Sequence, residues 1–400
     1  MNYKLESTRF GVKAFPSKGS RSSVLERSMA PHPLSFQELP YDPEYRLYNK
    51  RLTPEILNHM TDDEMYWAVR TGVILRHTGE LPIEISGPDA EVLLNRIFTR
   101  DIAKLKPGRC SYQFACYHDG GMITDGVLLR LAYDRFWMAQ ADGDLYSWYK
   151  AHSEGLDVRV HDPSVWVTQI QGPRSLDVLR VAVDGDYPEP FNYFDCVTTT
   201  IADQAVVISR TGFSNELGWE IYMTPGIDFQ KLGAHLLKAG EEYDMKLTGT
   251  PVFRVRRIEA GLLNAGSDFD ETTTPFMVGL GKFIDLKKSG FIGQEALRIA
   301  KKNCLTWGMR VNDGVAALGR NVYIDNQVVG KVCSNGWSPF LQCGVAIVRM
   351  DHPDHGPNTK VTADCIDGKR NSAELCLMPF YDEKGEIPRG KRIDIPTVQN

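Results

Sequence analysis

Apolar and polar positions alternate with period two along Val206-Val207-Ile208-Ser209-Arg210 and again along Trp219-Glu220-Ile221-Tyr222, the pattern of strands with two different faces. The stretch between them, Thr211-Gly212-Phe213-Ser214-Asn215-Glu216-Leu217-Gly218, is polar and contains glycine, so the three segments predict a hairpin. Spacing near 3.6 predicts helices over 229–236 and 252–263. An internal echo stands out. Ile83-Glu84-Ile85-Ser86-Gly87-Pro88 leads into Asp89-Ala90-Glu91-Val92-Leu93-Leu94, and Val167-Thr168-Gln169-Ile170-Gln171-Gly172-Pro173 leads into Arg174-Ser175-Leu176-Asp177-Val178-Leu179. Each copy reads as strand, Gly-Pro, helix, with proline in the first helical turn. The echo predicts two related α+β halves, roughly 62–160 and 161–302. From Asn303 onward the character changes. Short strands over 305–311, 321–324, 327–332 and 343–348 are separated by Gly, Asn and Asp turns, which predicts a small all-β domain over 303–400. Residues 1–61 are rich in Pro, Ser and Arg and predict an extended arm, and the body begins at Asp62-Asp63-Glu64, acids suited to a helix N-terminus. The expected fold class is α+β. Without a repeated βαβ order, a doubly wound nucleotide fold is disfavoured.

Composition narrows the classes. The 400 residues are 42% hydrophobic and 24% charged, ordinary for a soluble protein with a sizeable core. A net charge of −5 makes no electrostatic case for nucleic acid. No apolar run approaches the roughly 20 residues of a membrane helix, and the first 23 residues lack the apolar centre of a secretory signal. The eight cysteines are scattered, with no C-x-x-C, so disulfide scaffolds and metal sites are not expected and a cytoplasmic setting fits best. His352-Pro353-Asp354-His355 reads as a surface loop rather than a metal site. No G-x-S-x-G supports serine catalysis, and Gly279-Leu280-Gly281-Lys282 lacks the spacing of a phosphate loop.

Two places carry candidate chemistry. Gly120-Gly121-Met122-Ile123-Thr124-Asp125-Gly126 makes a glycine turn from which a strand leaves with one carboxylate, Asp125. Alternation puts Thr124 and Asp125 on opposite faces. In the hairpin, Glu220 sits between Trp219 and Ile221. It lies either on a solvated strand face or where a carboxylate accepts the adjacent N–H groups of an aminopyrimidine.

These stretches, with Gly108-Arg109-Cys110-Ser111-Tyr112, resemble the glycine-cleavage T-protein (aminomethyltransferase) superfamily. Ala68-Val69-Arg70-Thr71 is similar to the family's early helix end. Arg257-Ile258-Glu259-Ala260-Gly261 resembles its R-L-E-A-G, Phe291-Ile292-Gly293-Gln294-Glu295-Ala296-Leu297 its F-I-G-x-E-A-L, and Ser334-Asn335-Gly336-Trp337-Ser338-Pro339 its S-G-x-x-S-P. The matches run in order from about residue 66 to 348. The resemblance implies a three-domain fold around a central funnel that binds tetrahydrofolate, with Glu220 on the pterin and Tyr112 and Phe213 lining the same site. The family's G-A-R-D is here Val252-Phe253-Arg254, so its Arg falls on Phe253.

Departures set the expected activity. Aminomethyltransferases read G-G-x-x-D-D with the first Asp catalytic, a position that is Thr124 here. They read F-D-V-S-H where this chain has Leu75-Arg76-His77-Thr78-Gly79. Ala141-Asp142-Gly143-Asp144-Leu145-Tyr146-Ser147-Trp148 is more similar to the sulfonium demethylase. The resemblance then implies a demethylase that moves a methyl group from a small onium or methoxy substrate to N5 of tetrahydrofolate. The alternatives are an aminomethyltransferase and a non-catalytic folate-binding protein. His77, Tyr112 and Asp125 are the catalytic candidates, against a structural histidine for His77 and a turn brace for Asp125. Thr124 and Trp148 are the substrate-contacting candidates. The arm, with Phe15, Tyr41, Tyr45 and Tyr48, is suited either to closing over the funnel or to contacts in a homo-oligomer. No metal is expected.

Overall fold

The computed structural model describes residues 30–392 apart from Ser289; Phe15 lies outside that range. The described part of the arm departs from the expected extended form. β1 (Ala30–Pro31), β2 (Glu44–Tyr48) and β3 (Arg51–Ile56) make a three-stranded sheet in the order β1-β3-β2. The cause is a tight β2–β3 turn at Asn49-Lys50, where φ is 50° and 62°, the positive values that match the twist of a two-residue hairpin.

α1 (Asp62–Thr71) starts at a capping box in which Thr61 and Glu64 satisfy each other's backbone N–H groups. It is followed by β4 (Ile74–Thr78). The two echoed segments then build the body. β5 (Leu81–Ser86), α2 (Ala90–Ile97), β6 (Arg109–Cys116), β7 (Met122–Ala132) and β8 (Arg135–Gln140) are followed by α3 (Leu145–His152) and β9 (Arg159–His161). β10 (Trp166–Gln171), α4 (Ser175–Ala182), β11 (Cys196–Ile201), β12 (Gln204–Ser209) and β13 (Gly218–Met223) follow, then α5 (Phe229–Glu241) and β14 (Lys246–Leu247). The sheets run β6-β7-β8-β5-β9 and β11-β12-β13-β10-β4-β14, so each is a three-strand meander closed by the strand that precedes it in sequence. Gly87 and Gly172 end the echoed strands at φ 121° and 123°, a backbone region that side chains rarely adopt. β4 precedes the first half in sequence yet lies in the sheet of the second, where it pairs with β10.

The two sheets face each other. Cys110, Leu129, Trp137 and Ala139 of the first meet Val167, Val207 and Tyr222 of the second. The outer faces are covered by helices: Leu93, Leu94 and Ile97 lie on Leu128, Phe136 and Met138, and Val178, Leu179, Leu232 and Leu236 lie on Ile170, Ile208 and Ile221. Each such large side chain contributes about 1.5–3 kcal/mol by leaving water.

α6 (Pro251–Ala260) and α7 (Gln294–Ile299) lead to the C-terminal unit. There β15 (Thr306–Val311), β16 (Asn321–Ile324), β17 (Gln327–Ser338), β18 (Cys343–Met350), β19 (Lys360–Asp364) and β20 (Arg370–Cys376) close into a six-stranded barrel. The fold is α+β with a small C-terminal β-barrel. No described helix is long and apolar enough to cross a membrane.

One buried polar network ties the units. Arg70 of α1 and Arg256 of α6 both meet Glu216 of the hairpin turn at 2.7 Å, and all three side chains are at most 1% exposed. Glu259 of α6 accepts from Tyr66 at 2.8 Å, from Arg256, and from Ser338 of the barrel. Arg257 meets Asp268 at 2.7 Å, and Ser334 of the barrel donates to the same carboxylate at 2.6 Å.

Candidate active site

Strand register decides which side chains share the space between the sheets. Across the second sheet, Ser209 is opposite Glu220, Glu220 opposite Gln169, and Gln169 opposite Arg76. The four share one face. It is the face that carries Val167, Tyr222 and Val207 toward the first sheet. There, Tyr112 and Asp125 share the face of Cys110 and Leu129, because Phe114 pairs with Asp125 and Tyr112 with Val127.

Glu220 is 6% exposed. Gln169 Nε2 donates to its Oε1 at 2.7 Å, and Thr211 and Tyr222 donate to Oε2, Tyr222 at 3.1 Å. Burial raises its pKa to about 7, with the charge of Glu80 adding to the rise and the hydroxyl donors opposing it. The hairpin loop is locked by Gln171, whose amide accepts from Ser214 at 2.6 Å and donates to Thr211 O at 3.2 Å. Any Cβ on Gly212 or Gly218 would fall within 2.4 Å of that amide, so the two glycines let the loop close on it.

Tyr112 donates to Asp125 Oδ2 at 2.7 Å. Burial raises Asp125 to about 6, while the Tyr112 hydrogen bond pulls the other way. Tyr48 of the arm hairpin feels the charges of both Glu80 and Asp125, which links the arm to both sheets. A cavity of ≈ 100 Å³ beside β4 and the arm hairpin is lined among others by Arg46, Tyr48, Arg76, Glu80, Phe213 and Phe253.

Tyr112, Asp125 and Glu220 therefore lie on the faces that the two sheets turn toward each other, while Phe213 lines the cavity beside β4. His77, Thr124 and Trp148 lie elsewhere: strand parity corrects the expectations for His77 and Thr124, and Trp148 stands on helix α3. His77 is opposite Thr168, one residue out of phase with Arg76, and faces the helix-covered side. It is fully buried, bonded to Thr168 at 2.8 Å and Gln37 at 3.0 Å, and stacked on His32; burial and Arg76 lower its pKa to about 3. Thr124 is 0% exposed and donates to Asp142 O at 2.9 Å on the helix-covered side of the first sheet. Trp148 belongs to an outer cluster with Tyr117, His118 and His152. Of the two polar residues of the glycine turn, the one on the inner face is the catalytic candidate Asp125. Arg76, Gln169 and Glu80 were missed, although a charged residue inside the apolar run Ile74-Leu75-Arg76 is itself a signal.

The inner face fits a pterin. Gln169 Oε1 is buried without a hydrogen-bond partner and adjoins the Glu220 carboxylate. Two neighbouring acceptors suit the adjacent N–H donors of an aminopyrimidine. Among the described residues no group of three or more potential ligands is placed to hold a metal ion.

Residues 33–288 match the GCVT N-terminal domain and residues 306–382 the glycine cleavage T-protein C-terminal barrel domain. The chain belongs to the glycine-cleavage T-protein family. Within that family of folate-dependent transferases it is 33% identical over 348 residues to a trimethylamine-oxide aldolase of Ruegeria pomeroyi, covering 82% of this chain but only 44% of that protein. It therefore spans less than half the length of that relative. It is 31% identical to an aminomethyltransferase of Corynebacterium aurimucosum over 77% of this chain and 85% of the relative. It is 30% identical to a dimethylsulfoniopropionate demethylase of Ruegeria pomeroyi over 82% and 90%. The crystal structure of the glycine cleavage system aminomethyltransferase T from Bartonella henselae shares the fold, with a TM-score of 0.79 at 22% identity over 88% of this chain and 98% of that one. The T-protein motifs Arg70, Glu259, Ser334 and Ser338 are members of the buried network that joins the three units.

Proposed function

We propose that this T-protein family member is a tetrahydrofolate-dependent demethylase, moving a methyl group from a small onium or methoxy substrate to N5 of tetrahydrofolate. The observation that carries the reading is the facing pair of polar sets: Glu220 with Gln169 on one sheet, Tyr112 with Asp125 on the other. Tetrahydrofolate, when bound, supplies the N5 nucleophile. Glu220 and Gln169 accept the N–H edge of the pterin. Asp125 is largely ionised at neutral pH and takes the proton that N5 loses as the new N–CH3 bond forms. Tyr112 holds that carboxylate in place. A sulfide or tertiary amine leaves neutral and needs no acid, so positioning supplies most of the rate. The similarity to the dimethylsulfoniopropionate demethylase supports the donor class.

A second reading has its own support. With Asp125 on the inner face, the missing acid at position 124 no longer separates the chain from aminomethyltransferases, to which it is similar at 31% identity. Product analysis separates the two. Incubation with tetrahydrofolate and a panel of S-, N- and O-methyl donors yields 5-methyltetrahydrofolate on the first reading. The absence of that product from every donor sinks it. Ammonia release from an aminomethyl-loaded lipoyl carrier protein favours the second.

A further inference from the structure

The cavity beside β4 contains a guanidinium without a direct ion pair among the described residues. Of its four arginines, Arg46 and Arg254 pair with Glu55, and Arg257 pairs with Asp268. Arg76 makes no ion pair among the described residues. It is 7% exposed, and Nη2 donates to Thr250 Oγ1 at 3.1 Å. The guanidinium lies 4.6 Å above the Phe253 ring, and Nε is buried without a hydrogen-bond partner. Glu80, whose charge acts on it most strongly, stands beyond ion-pair distance and keeps its own Oε2 unpartnered. Glu38 acts on it as well, again without a direct ion pair; a planar guanidinium with an open edge is matched by a carboxylate.

We propose that Arg76 is the anion-recognising residue of the substrate cavity, and that its ligand is a compact carboxylate bound to the open guanidinium edge. The proposal rests on the methyl-donor reading only in placing the donor in this cavity. Tyr48, Phe213 and the free oxygen of Glu80 line the same space and suit a cationic end of the same molecule. The carboxylate comes either from the methyl donor or from the glutamyl tail of the folate.

Calorimetric binding to the full chain tests this without turnover. The probes are acetate, propionate, glycine betaine and N,N-dimethylglycine, each with its methyl amide, and tetrahydrofolate with the N-methyl amide of tetrahydropteroic acid, which carries no carboxylate. The charged member of at least one pair binds tighter, and Arg76→Gln weakens it by about thirtyfold or more, as expected for losing one partner of a buried charge pair. Arg76→Lys keeps part of the preference. A loss confined to the small carboxylates places the anion on the donor; a loss confined to tetrahydrofolate, with the tetrahydropteroic acid N-methyl amide unchanged, places it on the folate tail. Equal binding of charged and uncharged members in every pair of the wild-type protein overturns the proposal, and so does a charge preference that persists undiminished in Arg76→Gln. If Arg76→Gln fails to fold, the wild-type pairs and Arg76→Lys decide. Because binding is read directly, a failure to form 5-methyltetrahydrofolate is a separate result.

Discussion

Tyr112 donates its phenol proton to Asp125 Oδ2 at 2.7 Å, joining adjacent strands on the face that looks toward Glu220. Asp125 is held near 6 by two opposed effects, burial raising it and this bond lowering it. Tyr112→Phe removes only the second, so the acid limb of the turnover–pH curve moves to higher pH. Asp125→Asn abolishes that limb and lowers kcat by about a hundredfold or more, the usual size of a general-base contribution. A pH profile of the two variants checks both statements.

Glu220 is raised to about 7 by burial, above the usual carboxylate range. The ionised form accepts pterin N–H groups, so tetrahydrofolate affinity rises with pH through about 7 and becomes flat in Glu220→Gln. The sign is opposite for the free protein. The folded state binds more protons than the unfolded state between the ordinary value of 4.5 and about 7, so this group's contribution to stability falls as pH rises through that window. Folate titrations and thermal melts across pH 5–8 measure the two trends.

Thr124 contributes packing and one hydrogen bond, not chemistry. Thr124→Val leaves kcat within about twofold and lowers stability by about 1 kcal/mol, the net worth of a typical hydrogen bond. Thr124→Asp places a carboxylate where nothing faces the pocket. It destabilises the fold without raising activity in a glycine-cleavage assay.

Glu216 neutralises Arg70 and Arg256 at 2.7 Å in a site closed to water. Glu216→Ala leaves two buried guanidinium groups short of a counterion and costs about 3–5 kcal/mol. Chemical denaturation of the variant reads that loss directly.

The sequence and the structure agree most where local pattern decides. The Gly-Pro echo marks both β5–α2 and β10–α4, and the alternation around Glu220 marks β12 and β13. The family motifs were legible too, but several mark joints rather than chemistry: Arg70, Glu259, Ser334 and Ser338 bind the units together. What the chain did not reveal was which face of each strand looks inward, because parity shows alternation but not direction. That is why Thr124 stood as a substrate contact, and why His77 stood in for its neighbour Arg76. The arm's β2–β3 hairpin was hidden because its turn, Asn49-Lys50, lacks the usual Asn-Gly pair.

The central claim is that the Glu220 and Asp125 faces together carry methyl transfer to tetrahydrofolate. Mass spectrometry of the folate product from a methyl-labelled donor tests it most directly. The account predicts label in 5-methyltetrahydrofolate with the wild-type chain and its loss in both Glu220→Gln and Asp125→Asn. Label in 5,10-methylenetetrahydrofolate, or unchanged methyl transfer in both variants, would contradict it.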